Sequence, residues 1–409
     1  MDSHQTIDEA QWIISIRKTL TQELEDDDGG GDDDNIAIRV SIYAVPKPLM
    51  ATKPEAYIPQ QVSIGPYHQH QLELYEMERY KLYATRRVQK QVPNLSFEGF
   101  IERFVKLNRM FRASYHRYLD SSDEALAWLM FLDGSYLLEY LQAFATNVLK
   151  DLTHVPTGKI SHVIDQTGKK STHNVVLRDI IMLENQIPLF ILKELIELVY
   201  NEKSNEVFAS ILSGFCRKLS HFHNAGDLTL GEELLGREHL LELLYNLALS
   251  TTEPPLIEEF LIPSVTKLSK AGVTLFATVG DLSSIALDHN SATLYLPRIT
   301  LNENLEVILR NLVAFEATTT SEAFMLTRYI ELMNGIINSE EDVKLLGERR
   351  IVHNQLKSDR EVVDLWKGMS KTVKLTRAAR IDQVIEGVNG YYEKSWRVQT
   401  GRFMSSLDE

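Results

Sequence analysis

The longest apolar pattern in the chain covers residues 177–199, LRDIIMLENQIPLFILKELIELV, which is hydrophobic on nearly every helical face. A helix of that kind belongs in the interior of a domain. Pro188 has no N–H and cannot donate to the carbonyl of Glu184, so the pattern predicts two buried segments joined at a polar elbow. Glu184, Asn185 and Gln186 occupy the elbow. They satisfy freed backbone groups in one interpretation and bind a ligand in the other.

Three further helices are predicted before the elbow, because apolar residues recur there at helical spacing. One side of the first helix, residues 72–91, carries Leu72, Tyr75, Tyr80, Tyr83 and Val88. Residues 97–119 have an aromatic stripe typical of a core. Residues 125–144 are apolar nearly all round, with Asp133 and Gly134 in the middle. We expect Gly134 to allow close packing against the 177–199 segment and Asp133 to need a polar partner.

Residues 36–68 consist of short apolar runs divided by prolines. Each proline biases the residue before it toward extended backbone, so we expect extended segments and turns that lie across other elements. Gly65 and Pro66 form a turn signal, and Tyr67 and His68 follow them. His68 and His70 are interpreted as hydrogen-bonded histidines rather than metal ligands, since no acidic or cysteine side chain stands nearby at ligand spacing.

The second half of the chain predicts one β region among helices. Alternating residues at 273–279, a turn at 288–291 and a return run at 293–296 predict a small antiparallel sheet. Helices are expected from residue 302 nearly to the end, including residues 351–356. The predicted fold class is therefore mainly α (α+β), a single large helical domain with a small antiparallel β-sheet near residues 270–299. Polar surface loops are predicted at 150–174, 201–205 and 221–226.

The termini differ in composition from the rest. Residues 7–24 carry apolar residues at helical spacing, and residues 25–34, EDDDGGGDDD, resemble a flexible linker more than a calcium loop. The chain is thus divided into residues 1–35 with an amphipathic helix and a linker, a domain at 36–401 and a tail at 402–409. The acidic run holds seven of the acids behind the net charge of -14. The remainder is only mildly acidic, which argues against a general nucleic-acid binder but leaves a local basic face near the C-terminus open.

Motifs that carry chemistry are few. The sequence has no nucleophile elbow, P-loop, dinucleotide fingerprint or zincin helix. The single cysteine, Cys216, precedes His221 and His223, but no third group orients such a pair. One cysteine also cannot form an intramolecular disulfide. No metal, cofactor or catalytic residue is predicted. The enzyme alternative places an unrecognised site near Glu184 and Asn185, with His68 and Asp133 if these converge.

Several blocks of the chain resemble the plant domain-of-unknown-function 247 family. They are IYAVPKPLMATKPEAYIPQQVSIGPYH at 42–68, MFLDGSYLLEYL at 130–141, LRDIIMLENQIPLFIL at 177–192, LVAFEA at 312–317, EDVKLLGERRIVHN at 341–354 and NGYYEKSW at 389–396. The structural signature they carry is Gly65, Pro66, Tyr67, His68, Asp133, Gly134, Glu184, Asn185, Gln186 and Pro188.

The resemblance implies a plant protein without an established enzymatic activity. Family members usually end in a C-terminal transmembrane helix after the YY-W block, whereas this sequence continues RVQTGRFMSSLDE. Similar grass proteins act as pollen determinants of self-incompatibility together with small secreted stigma proteins. We therefore expect a non-enzymatic recognition or signalling protein that binds a protein partner through loops on a rigid core. The expected location is the plasma membrane if an anchor was removed, and the cytoplasm otherwise. Cytosolic defence or stress signalling is a further alternative.

Overall fold

The computed structural model describes residues 40–144, 170–219, 236–249, 262–319, 324–369 and 379–405. The first half is helical, and its bounds are α1 (Lys47–Thr52), α2 (Glu78–Gln91), α3 (Phe97–Val105), α4 (Asn108–Ser114), α5 (Asp123–Gln142), α6 (Lys170–Asp179), α7 (Leu189–Tyr200), α8 (Ser204–Leu219) and α9 (Leu240–Ala248). Short 3-10 turns lie at Pro54–Ala56, Leu72–Met77 and Asn201–Lys203. The predicted break at 201–205 is therefore a single tight turn.

The second half contains α10 (Val265–Lys270), β1 (Thr274–Thr278), β2 (Ala286–Asp288), β3 (Thr293–Pro297), β4 (Ile299–Leu301), α11 (Leu305–Thr318), α12 (Met325–Ile336), α13 (Glu340–Glu348), β5 (Val352–Asn354), α14 (Asp359–Met369) and α15 (Ala379–Ser405), with a 3-10 turn at Leu282–Ser284. The mainly helical class is confirmed. None of the helices in these described ranges combines the length and apolar character that a membrane span requires.

Helix α5 lies at the centre of the first half, between α2, α3 and α7. Ser122 caps its start by accepting the N–H of Ala125. A Cβ added to Gly134 would lie 2.7 Å from Cγ2 of Ile191 in α7, so only glycine permits this helix approach. The expected close packing against the 177–199 segment is confirmed. The aromatic stripe is also core, since Phe100 stacks on Phe131 at a centroid distance of 4.6 Å.

The elbow predicted at Pro188 separates two helices. Helix α6 ends at Asp179, and α7 begins at Leu189 directly after Pro188, whose missing N–H is not needed there. The N–H of Leu189 donates instead to the carbonyl of Glu238 at 2.7 Å. Residues 180–187 between the helices are buried, so their backbone groups need partners inside the protein.

The β region forms where it was expected, but its sheet is mixed. Strands β2 and β3 pair antiparallel, whereas β1, which was expected to pair antiparallel with the return run at 293–296, pairs with β3 in parallel. The chain crosses from β1 through the 3-10 turn Leu282–Ser284 to β2 at the far edge, and this places β3 in the middle. Alternation of apolar residues reports which face a residue takes, not the direction of its neighbour.

Two local predictions are wrong. Residues 352–354 form β5, which pairs in parallel with β4, instead of continuing a helix through 351–356. The run is short and opens with the β-branched residues Ile351 and Val352, and helix α13 has already ended before it. Residues 170–174 belong to α6 instead of the predicted loop. Helix α15 runs to Ser405. The segments 7–24, 25–34, 150–169 and 221–226 lie outside the described residues.

Candidate functional site

The buried residues Val62, Ser63, Ile64 and Gly65 belong to no helix or strand. A backbone of this kind has no ladder to take its hydrogen bonds, so each polar group must find a side chain or remain unpaired. We call residues 60–65 the core segment. Three of the side chains that bind it come from α5, from the end of α6 and from the elbow.

Asp179, the last residue of α6, binds the start of the core segment. Its carboxylate accepts the N–H groups of Gln60 at 3.1 Å, Gln61 at 2.6 Å and Val62 at 2.9 Å. Burial raises the pKa of Asp179 to about 6, although the three N–H donors favour the ionised form. The side chain therefore holds three successive amides in one turn.

Asn185 in the elbow binds the middle of the core segment. Its Oδ1 accepts the N–H of Ile64 at 2.6 Å, while its Nδ2 donates to the carbonyls of Val62 at 3.0 Å and Asp179 at 2.9 Å. The side-chain amide of asparagine carries both hydrogen-bond donors and an acceptor. It can therefore pair with both the N–H and the C=O groups of a buried segment that has no neighbouring strand. Asn185 is completely buried.

Gln186 closes the elbow itself. Its Nε2 donates to the carbonyls of Ile180 at 2.8 Å and Met182 at 2.9 Å. Its own carbonyl accepts the hydroxyl of Tyr115 at 2.9 Å and lies 2.4 Å from where a Cβ on Gly65 would stand. Gly65 has φ of 76°, a conformation that glycine adopts at no steric cost. The core segment and the elbow can approach only because residue 65 is glycine.

Asp133 of α5 binds the end of the core segment and a buried lysine. Oδ2 accepts the N–H of Gly65 at 2.7 Å, and Oδ1 lies 2.7 Å from Nζ of Lys81, which is 1% exposed. The same ammonium lies 2.6 Å from Glu78 and 3.3 Å from the hydroxyl of Ser63. Burial raises the pKa of Asp133, and the ammonium opposes that effect. Lys81 is the partner that Asp133 was expected to need.

Glu184 forms the part of the network nearest the surface. Its Oε1 accepts the N–H of Val45 and one guanidinium nitrogen of Arg117, both at 2.8 Å, while Oε2 lies 3.5 Å from Nε2 of His68. The guanidinium carbon of Arg117 stands 4.8 Å from the ring centroid of Tyr67. Burial lowers the pKa of His68 to about 4, so this imidazole is neutral at neutral pH.

Comparison with known proteins confirms the family resemblance. A family model described as a plant protein of unknown function, domain of unknown function 247, matches residues 42–407. The chain belongs to this family. Two Arabidopsis thaliana proteins of the UPF0481 group are similar to it. One is putative and 34% identical, with 97% of this chain and 89% of the relative covered. The other is 25% identical, with coverage of 86% and 77%. No solved structure matches the chain significantly.

Part of the structural signature lies on the core segment and its partners. Gly65, Asp133, Asn185 and Gln186 meet there, while Gly134 and Pro188 shape the two helices behind it. Pro66 and Tyr67 follow the segment at half-exposed positions. His68 is a hydrogen-bonded histidine, with Nδ1 at 2.9 Å from Nε2 of Gln71.

Three members of this network were missed in the sequence. Asp179 ends α6 beside Arg178, and Asn311 follows Arg310 in α11. Lys81 lies three residues after Glu78, a spacing typical of ion pairs on a helix surface. Asn311 accepts the N–H of Leu183 at 2.9 Å and donates to the carbonyl of Ala56 at 2.8 Å. The partners of these three residues lie far away along the chain, so local spacing did not reveal these contacts.

The side chains that can bind metal or act as nucleophiles were also located. Within the described ranges, no group of three or more histidine, cysteine, aspartate or glutamate side chains is arranged to hold a metal ion. Cys216 is fully buried in α8, and burial raises the pKa of its thiol to about 12. Its suggested partners His221 and His223 lie outside the described residues. The geometry of Cys216 is that of a core residue.

Proposed function

We propose that this plant protein is a non-enzymatic recognition or signalling protein that binds a protein partner. The observation that carries the proposal is an exposed apolar face on the 3-10 turn and helix at 72–91. Leu72 is 80% exposed, Tyr75 65%, Leu82 53% and Tyr83 38%. Exposed apolar residues grouped in this way mark interaction sites more often than scattered single ones do.

The composition of this face suits a protein interface. Nε and a terminal guanidinium nitrogen of Arg79 donate to the hydroxyl of Tyr83 at 3.2 and 3.1 Å. The pair holds an aromatic ring and a guanidinium rigidly at the surface, and tyrosine and arginine are enriched at the energetic centres of interfaces. Leu72, Tyr75 and Tyr83 are exposed, whereas Val88, which the sequence pattern placed on the same side, is buried and belongs to the core.

The buried polar network supports binding over chemistry. The enzyme alternative requires Glu184, Asn185, His68 and Asp133 to share an open pocket. Each is at most 6% exposed. Asn185 and Asp133 are hydrogen-bonded to the core segment, and Glu184 to the backbone of Val45. A catalytic side chain must be reachable by its substrate. Asn185, Asp133 and Glu184 are instead buried and hydrogen-bonded to backbone groups.

The finer form of the proposal concerns the partner and the location. The resemblance to pollen determinants suggests a small secreted protein as the partner and a membrane-associated full-length form. Defence or stress signalling with a cytosolic partner is the second candidate. The tissue from which a partner is captured distinguishes the two.

Affinity capture with variants of the exposed face tests the proposal. The full-length chain and a double variant, Leu72→Ser with Tyr75→Ser, are used to capture proteins from pollen and leaf extracts. A control, Phe276→Ser with Val279→Ser, removes two other exposed apolar side chains, which are 56% and 64% exposed. We expect one protein to be retained by the wild type and the control but not by the 72/75 variant. Equal retention by all three would contradict a binding face at 72–83.

A further inference from the structure

A cavity of about 320 Å³ lies between β4, the end of α13 and β5. It is lined by Arg298, Ile299, Thr300, Gly347, Arg350, Ile351, Val352 and His353. The three titratable residues in this lining are all basic in type, and none of the eight is acidic. A cavity lined in this way attracts anions and repels metal cations.

One guanidinium nitrogen of Arg298 lacks a partner within the described part of the protein. This nitrogen, Nε, is buried and makes no hydrogen bond. Arginine remains charged in proteins, so a buried guanidinium nitrogen without an acceptor is costly unless a ligand supplies one. The residue stands between β3 and β4, where its N–H donates to the carbonyl of Thr278 at 3.1 Å and fixes the backbone. The sheet therefore fixes the backbone of Arg298 but offers its Nε no acceptor.

Arg350 occupies a backbone position that normally selects glycine. Helix α13 ends with hydrogen bonds from the N–H of Arg350 to Gly347 and from the N–H of Ile351 to Leu346, both at 2.9 Å. This paired pattern requires a left-handed residue, and Arg350 has φ of 58°. Glycine would end the helix with less strain. An arginine retained in a strained conformation beside a cavity points to a role for its side chain there.

The geometry points to a binding site for a small phosphate-bearing molecule in this cavity. Phosphate presents several oxygens at the separation that a guanidinium fork matches, and two arginines with a histidine can surround it. The hydroxyl of Thr300 adds a donor at the same wall. A volume of about 320 Å³ is at the small end of ligand pockets and suits a phosphate group with a short organic body. This site is separate from the protein-binding face proposed above.

Calorimetric titration of the full chain tests the inference with three probes: inorganic phosphate, glycerol 3-phosphate and citrate. We expect saturable binding of both phosphates, weaker binding of citrate, and a loss of phosphate affinity as salt concentration rises. Absence of saturable phosphate binding, or equal affinity for citrate, would overturn the assignment.

Two variants separate binding from folding. Arg350→Gly suits the left-handed backbone, so its thermal midpoint should equal or exceed that of the wild type. Its phosphate affinity should nevertheless fall about tenfold or more, since one charge-assisted contact is lost. Arg349→Ala is the matched control, because Arg349 is exposed like Arg350 but does not line the cavity. Unchanged affinity in Arg350→Gly, or an equal loss in Arg349→Ala, would contradict the site.

Discussion

The core segment at 60–65 and the cavity beside Arg298 both contain buried polar atoms. Around the core segment, the carboxylates and amides of Asp133, Asp179 and Asn185 are bonded to backbone N–H groups. In the cavity, Nε of Arg298 has no such partner. Burial alone therefore does not separate a structural polar side chain from a binding one. What separates them is whether the protein itself supplies the hydrogen-bond partner.

The largest loss of stability is expected when the buried acid Asp133 is removed. Asp133→Ala leaves the N–H of Gly65 unpaired and weakens the compensation of the buried Lys81 ammonium. We expect a loss of about 3–5 kcal/mol in the free energy of unfolding, measured by chemical denaturation. Asp364→Ala removes an exposed pair with Arg360 and should change stability little. Similar values for the two variants would refute a structural role for Asp133.

A second prediction concerns the glycine that permits the close approach. Gly65→Ala places a Cβ against the carbonyl of Gln186 at a residue with φ of 76°. We expect it to destabilise the protein by about 2–3 kcal/mol. Gly390→Ala is the control, since nothing lies within 4 Å of its added Cβ and α15 gains helix propensity. That control should stabilise by up to about 1 kcal/mol. A neutral Gly65→Ala would show that the elbow can move away.

A buried histidine outside this network, His239, makes the stability of the protein depend on pH. His239 is fully buried and bonded to the carbonyl of Ser41, and burial lowers its pKa from 6.5 to about 4. Between these pH values the unfolded chain binds a proton that the folded chain does not, so stability falls as pH falls from 6.5 to 4. His239→Gln lacks this loss. Its stability deficit at pH 7 should shrink by about 2 kcal/mol at pH 4.5; a constant deficit would contradict a neutral buried imidazole.

The smallest effect is expected on the exposed face. Leu72→Ser should change the free energy of unfolding by no more than about 0.5 kcal/mol, because this side chain is 80% exposed. Leu74, two residues away, is 3% exposed, and Leu74→Ala should cost about 2–4 kcal/mol. Denaturation of both variants checks the difference. A large loss from Leu72→Ser would place this residue in the core and remove the argument for a binding face.

The sequence predicted those features that depend on neighbouring residues. The elbow at Pro188, the close packing at Gly134 and the aromatic core all follow from local spacing. The run at 351–356 was misread because a short apolar run fits a strand as well as a helix. The direction in which β1 pairs with β3 was predicted wrongly for a different reason. It depends on the crossover between the strands, which local alternation does not encode.

Long-range partners could not be predicted in the same way. Asp133 was expected to need a partner, but Lys81 lies in a different helix and looked like one half of a surface ion pair. The cavity could not be predicted from the sequence either. Its arginines are visible in the sequence, yet only the fold brings Arg298 and Arg350 together and leaves one of them without an acceptor.

Hydrogen exchange of the amides of Gln61, Val62, Ile64 and Gly65 tests most directly whether buried side chains seal the core segment. These amides lie outside every helix and strand, and each donates to a side chain. We predict that Val62, Ile64 and Gly65 exchange as slowly as the amides in the middle of α5, through global unfolding. Exchange at the rate of an exposed loop would contradict the account.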